Sequence, residues 1–180
     1  MEGSKLPYAL FLLFMLALNA AVFYVPYAAS KGDSGAPSMY AAFAPTCHQL
    51  TSRSYCLFAP QDGSYSFGDC MKSGELSYSH ANEVEQGGEV GYKFPVCSRD
   101  VAIYLAMLLG ALALPFLMRM EGEDWPSPWL LAAACVPIAI DGGTQIIGLR
   151  ESSNFARAAT GFIVGFALPF YIVPMLNSLY

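Results

Sequence analysis

With 180 residues, 55% hydrophobic content and 13% charged content, the chain carries far less charge than the roughly 25% usual in soluble domains. That balance reads as an integral membrane protein with no room for a separate soluble enzyme domain. The net charge of -5 argues against a nucleic-acid partner, which would call for a basic face.

Four apolar stretches are each long enough to cross a hydrocarbon layer of about 30 Å as a helix. They run about 8–29, 101–118, 129–149 and 159–176. The sequence therefore predicts an all-α membrane protein, a bundle of four transmembrane helices forming one domain over 1–180. One long loop separates helices 1 and 2. The first stretch has Lys5 ahead of it and Ala28 and Ala29 at its end, features shared with signal peptides. Its apolar run is too long and Tyr27 too large for that role, so a retained helix is expected.

Beyond the first helix, residues 30–38 are rich in Gly, Ser and Pro and read as a turn. Met39 to Ala44 reads as a short interfacial helix. From about 61 to 93 the chain turns to Gly, Ser, Tyr and acidic residues, among them Asp62, Asp69, Glu75, Glu83, Glu85 and Glu89. This segment is read as a surface insertion with little core of its own, compatible with one short hairpin. Trp125 and Trp129 suit a membrane interface, and Pro126 and Pro128 a helix start. Ala102, Ala106 and Gly110, then Gly161 and Gly165, recur at four-residue spacing and predict close helix packing. Pro169 and Pro174 predict bends in the last helix.

Four crossings place the first and third loops on one membrane face. Those loops hold Lys31, Arg53, Lys72, Lys93, Arg99, Arg150 and Arg157, against Lys5 and Arg119 opposite. A positive-inside count alone puts the loops in the cytoplasm. The first loop is too long for that rule, and its cysteines and acidic excess suit an exterior surface. The reading adopted is loops outside and N-terminus cytoplasmic, in the cell membrane.

The polar residues of those loops form three groups. In the first, Cys97 and Asp100 at i, i+3 before the second helix share one face. With Cys47 they make a ligand set acceptable to a zinc-like divalent metal. His48 cannot easily join Cys47 on one ion, because adjacent helical residues diverge by about 100°. The competing reading is two disulfides, Cys47 with Cys97 and Cys56 with Cys70. Cys135, in an apolar stretch, reads as a small core residue.

In the second group, Asp141 lies inside the third apolar stretch, where an ionisable side chain costs about 3 kcal/mol on insertion scales. Thr144 and Gln145 lie one turn on, and Pro137 with Gly142 and Gly143 predicts a kinked or broken helix. The alternative for Asp141 is a buried ion pair with an arginine that locks the bundle. In the third group, Arg150, Asn154 and Arg157 fall at i, i+4, i+7 beside Glu151 and would make one polar stripe if helical. With Arg53 and Arg99 they could hold an anion through guanidinium forks. Taken singly, such arginines also read as lipid-phosphate anchors.

Cys47-His48-Gln49 with Arg53-Ser54, Pro95-Val96-Cys97-Ser98-Arg99-Asp100, Asp141-Gly142 with Thr144-Gln145, and Arg150-Glu151-Ser152 with Asn154 and Arg157 resemble an uncharacterised family of small prokaryotic multi-pass membrane proteins. That family often has C-x-R-C where this chain has Cys97-Ser98-Arg99-Asp100. The resemblance implies site positions and no reaction.

Three functions follow as expectations. The first is a metal-assisted membrane enzyme acting on an anionic or lipid-linked substrate. In it Cys47, Cys97 and Asp100 hold the metal, and His48 acts as ligand or acid/base. Asp141 is a base or charge partner, and Arg53, Arg99, Gln145, Arg150, Glu151, Asn154 and Arg157 bind substrate. The second is a small transporter or ion-handling subunit built on Asp141, which would need homo-oligomers. The third is a disulfide-stapled assembly protein.

Overall fold

A computed structural model describes residues 5–59, 64–71 and 79–179. The predicted insertion therefore falls partly outside the described residues, at 61–63 and 72–78, which include Asp62, Lys72 and Glu75. The chain folds into two compact units. One comprises Met1–Asn19, Ala102–Ser152 and Ala156–Tyr180, the other Ala20–Val101 and Ser153–Phe155.

The second of these, the sheet unit, overturns the all-α expectation. It contains a four-stranded antiparallel sheet of β1 (Tyr55–Ala59), β2 (Ser66–Asp69), β3 (Glu83–Gln86) and β4 (Glu89–Lys93), in the order β2-β1-β4-β3. β1 alternates in burial, turning Cys56 and Phe58 inward. Those two pack with Cys70 and the half-buried Val84. A disulfide joins Cys56 to Cys70 with an S–S distance of 2.07 Å. The β3–β4 turn is Gly87-Gly88, both at positive φ (64° and 85°), as a two-residue turn matching the twist of its strands requires. Opposite Phe58 in the register stands Gly91, and any Cβ there would enter the Phe58 ring. The ring thus covers the glycine. Acidic residues did not prevent this sheet, because Glu83 and Glu85 alternate with the more buried Val84 and Gln86.

The helical unit is built from the first part of α1 (Leu6–Ser30), most of α3 (Ser98–Leu117), α4 (Pro128–Ile146), α5 (Asn154–Ala167) and α6 (Pro169–Asn177). A further short helix, α2 (Ala36–Phe43), belongs to the sheet unit. Among the described residues four spans are long and apolar enough to cross a membrane: α1, α3, α4 and the α5–α6 stretch from Asn154 to Asn177. Pro169 opens α6, so the last span is two helices that break at Leu168. The expected interruption of α4 does not occur, and the helix continues through Pro137 and the paired glycines.

Phe11, Met15, Ala111, Leu114 and Val173 form the helical core. Polar side chains tie helices through backbone carbonyls. Asn19 Nδ2 donates to Met15 O at 2.8 Å and Tyr104 O at 3.0 Å. Asn177 Nδ2 donates to Met120 O at 2.9 Å and Gly122 O at 2.7 Å. The small residues do what their spacing predicts. A Cβ on Gly110 would strike the Phe166 carbonyl, and one on Gly165 the Ile103 backbone.

Gly110→Leu and Gly165→Leu should each destabilise the detergent-solubilised protein by about 1–3 kcal/mol through overpacking. Gly143→Ala, where a Cβ meets nothing within 4 Å, should be neutral or stabilise by up to about 1 kcal/mol. Unfolding in graded denaturant checks both. Equal effects at the three positions would show that the helices are not in close backbone contact.

Candidate metal centre

Cys47 lies in the irregular segment after α2, and Cys97 directly precedes α3, accepting the first helical hydrogen bond from Val101 N–H at its carbonyl. The N-terminus of this 20-residue helix presents unsatisfied N–H groups and the positive end of the helix dipole. Cys47 Sγ takes up one of those donors, accepting the Cys97 N–H at 3.2 Å. It also accepts the Gln49 N–H at 3.4 Å. One turn into α3, Asp100 accepts from the Cys97 thiol, with Oδ2 3.1 Å from Sγ. The two sulfurs and a carboxylate oxygen lie within 4.8 Å of one another, each residue half-buried. Among the described residues this is the single group of three metal-ligand side chains.

Hydrogen bonding from Cys97 lowers the Cys47 thiol to about 7, helped by the Gln49 and Cys97 N–H groups and opposed by burial and by Asp100. Cys97 moves the other way, raised by its hydrogen bond to Cys47, by burial and by the nearby Asp100 carboxylate. Its one proton serves either Cys47 or Asp100. The pair therefore ionises in order, Cys47 first.

Three neighbours were given no role at the site from sequence. Lys93, at the end of β4, is fully buried and donates to Gln49 O at 2.6 Å and His80 O at 3.2 Å. Burial lowers its ammonium to about 8, and the charge of Cys47 works against that shift. Gln49 is the one described non-glycine residue at positive φ, 51°. In that left-handed conformation its N–H reaches Cys47 while its carbonyl reaches Lys93. Its side chain donates to Tyr40 O at 2.8 Å, and the buried Tyr40 hydroxyl donates to the Lys93 carbonyl. A lysine among glutamates in a strand reads as solvated, so only its burial reveals it.

His48 is exposed and outside the ligand group. Arg53 ends a single 3-10 turn (Thr51–Arg53), Arg99 occupies the first turn of α3, and both are half-buried. Asn154, expected on a stripe with Arg150 and Arg157, is hydrogen-bonded within the sheet unit. It accepts from Ser98 Oγ at 3.0 Å and donates to Asp69 Oδ1 at 3.0 Å. Arg150 precedes α5 and is not helical.

In the helical unit Asp141 is the one fully buried residue of α4. Its Oδ1 accepts from Arg150 at 2.8 Å and from Ser152 Oγ at 2.6 Å. Gln145 donates to Glu151 at 2.7 Å, and the buried Arg157 pairs with Glu151 at 3.5 Å. Asp141 thus has the arginine partner that was the alternative to a catalytic role. Ser152, given no role from sequence, supplies its second hydrogen bond.

Four membrane-length spans and a disulfide-closed sheet between the first two define a multi-pass membrane protein. The chain belongs to the family described as Predicted membrane protein (DUF2085), which matches residues 90–171. That range takes in Cys97, Asp100, Asp141 and Arg150 and leaves out Cys47. An uncharacterized protein of Methanocaldococcus jannaschii is 32% identical over 174 residues, 93% of this chain and 91% of that protein. An uncharacterized protein of Methanothermobacter thermautotrophicus is 39% identical over 79 residues, 43% of this chain and 68% of that one. No solved structure matches.

Arg150→Ala takes the guanidinium away from a carboxylate that is 3% exposed and also bonded to Ser152. Because Arg150 itself is half-exposed, the loss should fall between the about 1 kcal/mol of a surface pair and the about 3 kcal/mol of a buried one. Adding Asp141→Asn should recover part of it. A stability change below about 0.5 kcal/mol in Arg150→Ala would mean that the pair does not lock α4.

Proposed function

We propose that this protein carries a zinc-like divalent metal on Cys47, Cys97 and Asp100, as the Lewis-acid centre of a small membrane enzyme. The observation that carries this reading is the convergence of three donor atoms within 4.8 Å from positions fifty residues apart. Thiolate and carboxylate are ordinary zinc ligands, and a site with three protein ligands keeps a position for water or substrate. Aspartate in place of the second cysteine of C-x-R-C keeps a ligand there. Charge supports it too. Two thiolates and a carboxylate around a divalent ion leave one surplus negative charge, matched by the buried Lys93 ammonium. N–H···S bonds such as those to Cys47 spread thiolate charge and orient the ligand.

Bound there, the metal would polarise a substrate oxygen or a water. The chain's own contribution is to fix the sulfurs and the carboxylate and to supply Arg53 and Arg99 as cations of the same unit. This suits an anionic or lipid-linked substrate, with the exposed His48 available for proton transfer. The Cys56–Cys70 disulfide favours the sheet unit outside the cell and the N-terminus in the cytoplasm, since disulfides persist in oxidising compartments.

Zinc titration of the reduced protein should end near about one equivalent per chain, with Cys97→Ala and Asp100→Ala each weakening binding at least about tenfold. Cys97 retains its proton in the free site, so uptake must release protons and affinity must rise with pH. Metal analysis that finds no stoichiometric uptake, or uptake unaffected by either substitution, removes the centre. For the orientation, Asp33→Cys should react with a membrane-impermeant maleimide in intact cells. Labelling only after lysis would reverse it.

A further inference from the structure

We propose that Cys47 and Cys97, when free of metal, form a dithiol that exchanges with disulfides, Cys47 attacking and Cys97 resolving. This activity goes beyond the metal reading and turns on the asymmetry between the two sulfurs, which ligation does not require. The two sulfurs differ in their surroundings as an attacking and a resolving thiol must. Cys47 Sγ accepts two backbone N–H groups, one from the start of α3, and the fully buried Lys93 donates to the carbonyl of Gln49, close to Cys47 in sequence, with no carboxylate among its described partners. Donors, helix end and cation all favour negative charge on that sulfur. Cys97 instead points its thiol at a carboxylate, 3.1 Å from Asp100 Oδ2. The sulfurs are within 4.8 Å, and Cys47 sits on an irregular segment, so linking them requires that segment to close to the about 2.05 Å of a disulfide. The same unit already holds the closed Cys56–Cys70 disulfide, so disulfide chemistry is native to its surroundings.

The step balances without any further oxidant. Cys47 thiolate attacks one sulfur of a substrate disulfide, whose S–S bond breaks and releases one thiolate. The Cys97 proton passes to Asp100, and the Cys97 sulfur attacks Cys47 Sγ. The mixed disulfide then breaks, and the second substrate thiolate leaves. The chain loses two electrons in forming Cys47–Cys97, and the substrate gains them.

The test uses the full chain in detergent, chelator-treated, with Cys135→Ala to remove the remaining free thiol. The probe is the aromatic disulfide of thionitrobenzoate, followed by absorbance and peptide mass spectrometry. About two equivalents of thiolate should be released per chain, leaving Cys47 linked to Cys97. Cys97→Ser should release about one and hold the adduct on Cys47, while Cys47→Ser should slow release at least about tenfold. Stable adducts on both cysteines without a link would overturn the proposal, as would an adduct in Cys97→Ser that forms no faster than in Cys47→Ser. Zinc stoichiometry of the untreated chain reports on the metal centre separately. Exchange in a chain that takes up no zinc keeps the dithiol and removes the metal, and zinc uptake without linkage does the reverse.

Discussion

The hydrogen bond from the Cys97 N–H to the Cys47 sulfur spans fifty residues of chain, and the site exists only because that closure holds. Everything between those positions, including the whole sheet, is a loop whose ends are also drawn together by the pairing of β1 with β4. Closing a loop costs entropy that grows slowly with length, so a few well-placed bonds suffice to hold it. Lys93 to Gln49, Gln49 to Tyr40 and Tyr40 back to Lys93 supply them within a few residues of the sulfur. Gln49 accepts a left-handed backbone that costs an L-residue about 1–2 kcal/mol. That conformation persists because its N–H, carbonyl and side-chain amide all find partners. Strain of this kind concentrates where geometry is over-determined.

Much of the membrane part was legible because span length and composition are coarse signals. α1, α3 and α4 start and end within a few residues of the apolar stretches, and Gly110 and Gly165 meet backbones as their spacing suggests. The sheet was not legible, for two physical reasons. Its strands are four or five residues long, too short for period-2 alternation to stand out from an acidic background. Its core is a disulfide, one phenylalanine over a glycine, and a valine, so composition rightly indicated little apolar mass and wrongly suggested little order. Gly87-Gly88 between two alternating runs was the one strong local signal of a hairpin, and it lay inside a segment assigned to the surface.

The site divides along the same line. Cys97 and Asp100 were paired by helical spacing, and Asp141 stood out because a carboxylate in an apolar helix needs a partner. Lys93 offered nothing of the kind, since one lysine in a polar strand looks like any other until its ammonium is found fully buried. The expected break of α4 fails for a related reason. Pro137 removes one N–H and leaves only the facing carbonyl short of a bond, a loss a helix can absorb. Farther along, Thr144 bonds back to Ile140 O at 2.8 Å, and Asp141 turns inward to Arg150 and Ser152. The polar end of α4 is thus held by Thr144 and Asp141 despite the paired glycines beside them.

The proposed metal ligation and thiol exchange would be alternative states of the same side chains, because each needs the same lone pairs. A sulfur coordinated to a cation is a poor nucleophile, and a disulfide is a poor ligand. Asp100 would mark the difference, turning an oxygen to the ion in the proposed metal state and taking the Cys97 proton in the proposed exchange. The surroundings favour neither exclusively. Two N–H groups and an ammonium stabilise Cys47 as an anion, and an anionic sulfur is what both chemistries require. What the fold fixes is therefore the charge and position of one sulfur. Whether a cation or a second sulfur completes it depends on which is present.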